Sequence, residues 1–389
     1  MAQAQADPAL RKLVATRRLM AWLLAPVLLL LLILTGLQYG QRMAEAEAQQ
    51  QRAADQHAQD LQLLARPAMD HVQDLRRLME DLWLQPPDPG PALAQALRPE
   101  DRIADMATGQ RWGQVWWAEP DGRPFDPLWQ RRAAAFVTQA RVAHARAPGF
   151  EATWFAAMDV NSSFGYPWIS TASILQSMGV ARLQDLAPLR AAAAARTRAR
   201  LAQGPGEDSH WGPPYRSQLA GHLVVSHMAP VRSGGELVGE VSLDFRLDEL
   251  QARLSTWTTP GERSWIVDAK AQVLADSIEG PPGDRVDASK GHDDQHARTA
   301  WALRAPAGMG EAQLRAALAG GAQSGGGWLL VAASRPGSPW TYVSAVPRSE
   351  LRARILPSLL PNAAIALVLL LGLLAAQWLL ARHFVRPAT

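Results

Sequence analysis

The chain contains no cysteine. That excludes disulfides, thiol catalysis, and zinc or iron–sulfur sites built on cysteine. It is compatible with the periplasm without requiring it. Lysines are very few, so the pI near 9.6 is a property of the arginines, and the net charge is only +3. No basic stripe and no base-reading motif accompanies them, so nucleic acid is not an expected partner. The common catalytic signatures are missing too: no Walker A loop, no H-E-x-x-H, no G-x-S-x-G, and no Gly-x-Gly-x-x-Gly after a strand. Asp70 and His71 fall on a predicted helix without a nucleophile to serve. The segment His292-Asp-Asp-Gln-His296 has the side-chain types of a metal site. It lies in a polar stretch beside Lys290 and Arg298, however, and reads as a solvated loop. His222 and His227, five apart on a strand, would face opposite sides. The sequence therefore predicts no enzyme, no cofactor and no metal.

What the chain does have is length and apolar runs. With 389 residues, 48% hydrophobic and 19% charged, it has room for two or three domains, and its composition fits a folded core with membrane segments rather than disorder. Leu19–Gln41 carries no charge and is dominated by leucine, long enough as a helix to span about 30 Å of hydrocarbon. Ile355–Ala381 is a second uncharged run. Arg11, Lys12, Arg17 and Arg18 precede the first run, and Arg382, His383 and Arg386 follow the second. The positive-inside rule then puts residues 1–18 and the C-terminus in the cytoplasm and residues ~42–354 outside, a two-span protein of a bacterial inner membrane with a periplasmic middle. A cleaved signal peptide is the rival for the first run, but the apolar stretch is long and no small-residue cleavage site stands out after Leu37.

Residues 42–85 read as a stalk helix. Leu61, Leu64, Ala68, Val72, Leu75, Met79 and Leu82 form an apolar stripe of heptad type, either packed on the helix's own domain or also dimerising two chains. Pro67 is expected to kink this helix or to begin a new one. A turn-rich loop, Pro86-Pro-Asp-Pro-Gly-Pro91, ends it. Further on, Gln110–Ala118 reads as a strand paired, across the Pro120-Asp-Gly122 turn, with a piece near Phe125. Asp126–Ala147 and Asp185–Ala202 read as helices and Glu151–Val160 as a strand. Asn161–Trp168 should break regular structure. Gly221–Pro230 and Glu236–Leu247 are two strands joined by Arg232-Ser-Gly-Gly235. In the second, Val241, Leu243, Phe245 and Leu247 alternate with Glu240, Ser242, Asp244 and Arg246. A helix then starts over Leu247–Leu254. Beyond it come a hairpin within Trp265–Asp276, a polar loop Gly280–Arg298, a short helix Gly310–Leu318, and a last hairpin of Gly327–Ala333 and Trp340–Val346. Ser349 is placed to cap an exit helix that runs into the second span.

The order Trp211-Gly-Pro-Pro-Tyr215, strand, Gly-Gly turn, Leu-Val-Gly-Glu-Val-Ser-Leu-Asp-Phe, Leu-x-x-Leu resembles the end of a membrane-distal module of double Cache sensor domains. Those are bacterial extracytoplasmic ligand sensors with two stacked PAS-like modules. Val267–Ala275 resembles the hairpin that opens such a module, with Ala271 where glycine is usual. Trp340–Leu351 resembles its closing strand and exit helix, and Arg382–Pro387 resembles the start of a HAMP linker. The resemblance implies an α+β chain with two tandem PAS-like modules, antiparallel sheets flanked by helices, over 86–254 (distal) and 255–350 (proximal). An exit helix with the second span follows over 351–381, and the linker begins at 382–389. It implies a ligand-sensing input region, no catalysis within these residues, a small-molecule ligand and a homodimer. A cytoplasmic output (diguanylate cyclase, histidine kinase or chemoreceptor) would lie beyond residue 389. A membrane-anchored periplasmic enzyme and a structural membrane protein are the alternatives.

Tyr166, Trp168, Trp211, Tyr215 and Asp244 are the candidate ligand-binding residues. Aromatic walls bury a small molecule, and hydroxyl, indole N–H and carboxylate groups orient it. The resemblance implies that a carboxylate at Asp244 contacts a ligand amine. The family's second aspartate position holds Ser217, and Tyr166-Pro-Trp168 lacks the arginine of the amino-acid-binding members, so an amino acid is not implied. The competing account is that the tryptophans are core and Asp244 is a solvated strand residue.

Overall fold

A computed structural model describes residues 8–84, 113–117, 127–158, 162–169, 172, 175–176, 179–203, 209–217, 221–278 and 302–385. The first of these stretches is one helix, α1 (Pro8–Leu84). Ala54, Ala58, Leu61, Ala65, Ala68, Val72, Leu75, Met79 and Leu82 are all buried on one side of it. Their three- and four-residue spacing keeps them on a single stripe, and burying each leucine, valine or methionine contributes roughly 2 kcal/mol. α1 runs unbroken through Pro67, so of the two outcomes expected there, a kink or a new helix, the new helix is excluded. The backbone bond lost at a proline is the one to the carbonyl four residues back, here Leu63, and both residues lie on the exposed side. Water can satisfy that carbonyl, so continuity costs little.

The stripe packs across two antiparallel sheets. The first has the order β1-β3-β2-β7-β6-β4, with β5 also paired to β6. Its strands are β1 (Gln114–Trp117), β2 (Phe150–Ala157), β3 (Ser162–Tyr166), β4 (His210–Trp211), β5 (Tyr215–Arg216), β6 (Leu223–Ser233) and β7 (Glu236–Arg246). Helix α2 (Pro127–His144) covers the same side as α1, with Phe136 against Phe164. Helix α3 (Ala187–Gln203) reaches the other side through Arg190 to Ser163 and Arg200 to Glu240. The second sheet, β10-β11-β12-β8-β9, comprises β8 (Arg263–Asp268), β9 (Val273–Asp276), β10 (Gly321–Gly325), β11 (Trp328–Ser334) and β12 (Trp340–Pro347). One face packs on α1. The other is closed by α5 (Glu311–Leu318) over Trp265, Val267, Leu330 and Val343. Between the sheets runs α4 (Leu247–Trp257), with Leu247, Leu250 and Leu254 buried. The stripe of α1 is thus consumed within its own chain, which leaves it unavailable as a dimer seam.

Two local expectations are corrected. The segment around Ser162–Tyr166 is a strand rather than a break, and it pairs with β1, Trp117 opposite Ser162. The piece near Phe125, expected beside β1, lies outside the described residues. The exit helix α6 (Arg348–Val385) begins at Arg348, directly after β12, so Ser349 is inside the helix and not its cap. The polar loop with His292 and His296 lies outside the described residues.

Ala271 has φ +58° in the β8–β9 turn, where a glycine would sit without strain. Asp268 Oδ1 holds that turn by accepting from the amides of Lys270 and Gln272, each at 2.8 Å. Ala271→Gly is expected to stabilise the second sheet by about 1 kcal/mol, the cost of the left-handed conformation less the extra entropy of glycine. A denaturant titration checks it. No gain, or a loss, would mean the turn is not strained.

Candidate functional site

Register decides what each candidate residue faces. Directly paired residues share a face of a sheet. One row across the first sheet is Tyr166, Thr153, Leu243, His227 and Trp211. Leu243 and His227 are buried on the side that packs on α1 and α2. The Tyr166 ring stands edge-on to His144 of α2, with centroids 4.9 Å apart. Trp211 packs on His227 at 4.7 Å and on Trp340 of the second sheet at 5.1 Å, while Phe245 meets the same Trp340 at 5.4 Å. Tyr166 and Trp211 are therefore helix-side residues, Trp211 forming the junction of the two sheets. They do not share a face with Asp244. Trp168 follows β3, half-buried.

Tyr215 and Asp244 do come together, on the opposite face. β5 pairs with β6 so that Tyr215 lies opposite Val224, and Ser226, two residues on, lies opposite Asp244. Tyr215 donates its hydroxyl to Asp244 Oδ1 at 2.7 Å, and the Ser226 hydroxyl reaches the same oxygen at 2.5 Å. Asp244 is 5% exposed. It is not the solvated strand residue of the competing account. Among the described residues no arginine, lysine or histidine pairs with it, and no hydrogen bond reaches its Oδ2. Burial pushes its pKa up from 3.8 to about 6. The bonds from Ser226 and Tyr215 act the other way, and the charge of Glu151 adds to the rise. The Tyr215 hydroxyl is pushed well above its ordinary value, chiefly by burial and then by Asp244. A carboxylate short of a counter-charge in a dry setting is what an incoming cation complements.

The same face carries more polar and aromatic groups. Glu151 meets His222 at 2.9 Å. Glu240, its pKa raised by burial, is held by Arg200 at 3.0 Å. Trp154, opposite Ser242 and Gly165, lies flat over the glycine. A Cβ at Gly165 would sit 2.4 Å from its ring, so only glycine allows this placement. Trp154 was not singled out in the sequence, although the pair Trp154–Phe155 held the clue: adjacent residues on a strand point to opposite faces, so one aromatic had to lie on the polar side. Ser217 is buried, its amide donating to the His222 carbonyl at 2.7 Å.

No protein-family model matches the sequence, and no curated protein does either. Solved structures do match. The ligand-binding domain of the Pseudomonas fluorescens chemoreceptor CtaA, in complex with L-isoleucine, is 13% identical, with 80% of this chain and 96% of that one aligned at a TM-score of 0.42. The ligand-binding domain of the Pseudomonas aeruginosa amino acid chemoreceptor PctC, in complex with GABA, is 14% identical over 77% of this chain and 99% of that one, with a TM-score of 0.39. The sensory domain of the Campylobacter jejuni chemoreceptor Tlp3, with isoleucine bound, is 9% identical over 80% and 97%, with a TM-score of 0.39. The chain is thus similar, over most of its length, to sensory domains of bacterial chemoreceptors.

Proposed function

We propose that this chain is the ligand-sensing input region of a bacterial transmembrane receptor. It takes a small molecule bearing an ammonium group on the polar face of the first sheet, the membrane-distal module (86–254), and relays binding through the second (255–350). The observation that carries the reading is Asp244: a buried carboxylate, fixed by two neutral donors on one oxygen and without a cationic partner among the described residues. Tyr215 and Ser226 hold it in place, and Trp154 supplies an aromatic wall beside it. Trp168 is kept as a rim residue. Tyr166 and Trp211 act from behind the sheet, where Trp211 links ligand-side changes to Trp340.

The relay rests on α6. β12 passes into this helix without a loop, and apolar side chains from Leu356 to Leu379 lie exposed along it. Arg348–Ala376 is long and apolar enough to cross a membrane. α1 shows a like surface from Val27 to Leu37, and Asn362 of α6 donates to Gln38 of α1. Two spans side by side, both termini cytoplasmic and residues ~42–354 periplasmic, account for both bare surfaces. Reporter fusions test this: periplasmic activity is expected from a fusion at Gly204 and cytoplasmic activity after Thr389, and a cytoplasmic readout at Gly204 contradicts it. A homodimer would use the outer side of α1, where Leu63 is 59% exposed, and not the buried stripe.

The ligand class is tested by a thermal-shift screen of amines, amino acids and organic acids on the full chain in detergent. A ligand at one hundred times its dissociation constant stabilises by about 2.7 kcal/mol. At least one ammonium-bearing compound is expected to shift the transition. If only acids without an ammonium group do so, or nothing does, the reading fails.

A further inference from the structure

A cleft of about 470 Å³, without Asp244 in its lining, opens between α1, α6 and the start of β8 on the α1 side of the second sheet. That volume is in the range of small-molecule sites. Three rings from three elements line it. His57 of α1 stacks on Trp257 of α4 at 4.6 Å, Tyr342 of β12 lies 4.9 Å from His57, and Trp257 and Tyr342 are 6.0 Å apart. Beside them is Glu262, 9% exposed. Its Oε1 accepts from the Ser264 and Tyr342 hydroxyls, each at 3.2 Å, and from the Ser344 hydroxyl at 2.5 Å, while the Tyr342 and Ser264 hydroxyls lie 3.1 Å apart. Its Oε2 accepts from the Thr259 hydroxyl at 2.6 Å and the Thr259 amide at 3.3 Å.

Every one of those donors is neutral, and among the described residues Glu262 has no ion pair. The two arginines that line the cleft are engaged elsewhere. Arg42 pairs with Glu45 at 3.1 Å, and Arg354 pairs with Glu350 at 3.5 Å while reaching Thr259 Oγ1 and the Pro260 carbonyl. His57 offers no charge in their place: among the described residues its buried Nδ1 has no partner, and burial lowers its pKa against the pull of Asp60 and Glu262. A carboxylate satisfied by dipoles alone, next to aromatic faces, complements a weakly hydrated cation. We propose that this cleft is a second binding site, for a small organic ammonium ion, built from Glu262, His57, Trp257 and Tyr342. The occupant would touch α1 and α6 at once. It would therefore favour one relative placement of the stalk and exit helices, whether or not the distal site is filled.

The test is calorimetric titration of the full chain in detergent with tetramethylammonium and ethylammonium, and with tert-butanol as an uncharged control. Saturable binding of at least one cation and none of the alcohol is expected. Glu262→Gln is expected to weaken cation binding about 10- to 150-fold. Because Glu262 anchors five donors, Trp257→Ala provides a second reading that spares this network, and it is expected to weaken binding at least about fivefold. The same titration on Asp244→Asn reads the distal site separately, so failure of one site does not count for or against the other. No saturable cation binding, or binding unchanged in both Glu262→Gln and Trp257→Ala, overturns the proposal.

Discussion

Asp244→Asn is expected to make the ligand-free protein more stable at pH 7 while weakening ligand binding by about 10- to 150-fold. The two effects share one cause. The folded pKa of Asp244, about 6, lies above the ordinary 3.8. Its favourable contribution is therefore complete below pH 3.8 and is lost as pH rises through 6. At pH 7 the ionised group costs on the order of 3 kcal/mol. Asparagine keeps an acceptor for Tyr215 and Ser226 and carries no charge to desolvate. It should recover most of that cost at pH 7 and almost none at pH 4. The binding loss follows from removing a charge-assisted bond worth roughly 1.5–3 kcal/mol. Denaturant midpoints at the two pH values, with a titration of the screened ligand, measure both. A purely structural Asp244 would instead give a variant destabilised at both pH values. Stability given up at a site for the sake of its ligand is a common trade.

Acid should unfold the first sheet from α1. His71 of α1 and His227 of β6 have pKa values lowered by burial to about 4, and His144 of α2 to about 3, by burial and then by His71. Among the described residues Nε2 of His71 has no hydrogen-bond partner and His227 has none of good geometry, only the backbone of His210 lying near it, while His144 Nε2 meets Thr153 Oγ1 at 2.8 Å. These groups are depressed in the folded state. The stability they allow is present above pH 6.5 and is lost as pH falls from there toward 4. Each costs roughly 2 kcal/mol at pH 5, about 6 together, against a gain of about 1 from Asp244. A net loss on the order of 5 kcal/mol rivals the whole stability of a typical domain. Denaturant midpoints between pH 7 and pH 5 are expected to fall steeply, and His227→Leu should flatten the slope. A flat profile in the parent would show that these rings are hydrated.

The β6–β7 hairpin was legible because alternation and turn chemistry agree: Gly234 and Gly235 both take positive φ, at 59° and 88°. Asp244 on the polar face followed from the same alternation. Besides the two-residue strands β4 and β5, two longer strands were hidden. Ser162–Tyr166 carries Ser-Ser and a glycine, local turn signals that two strand neighbours override, and its glycine serves the Trp154 ring. β10, Gly-Ala-Gln-Ser-Gly, has little strand propensity and exists through its ladder to β11. The facing of Trp211 and Tyr166 was beyond local reasoning. It is set by the pairings Trp211 to His227 and Tyr166 to Thr153, and a register shift of one residue would reverse it.

The central claim is that Asp244 meets a ligand cation. The most direct measurement is proton exchange on binding, taken by calorimetry at pH 6 in two buffers of different ionisation heat with the ammonium compound found by the screen. At that pH about half of the Asp244 side chains carry a proton, and a cation on the carboxylate expels it. The account predicts the release of close to half a proton per site at pH 6, vanishing at pH 8 and in Asp244→Asn. Binding without proton release at pH 6, or the same release from Asp244→Asn, would contradict it.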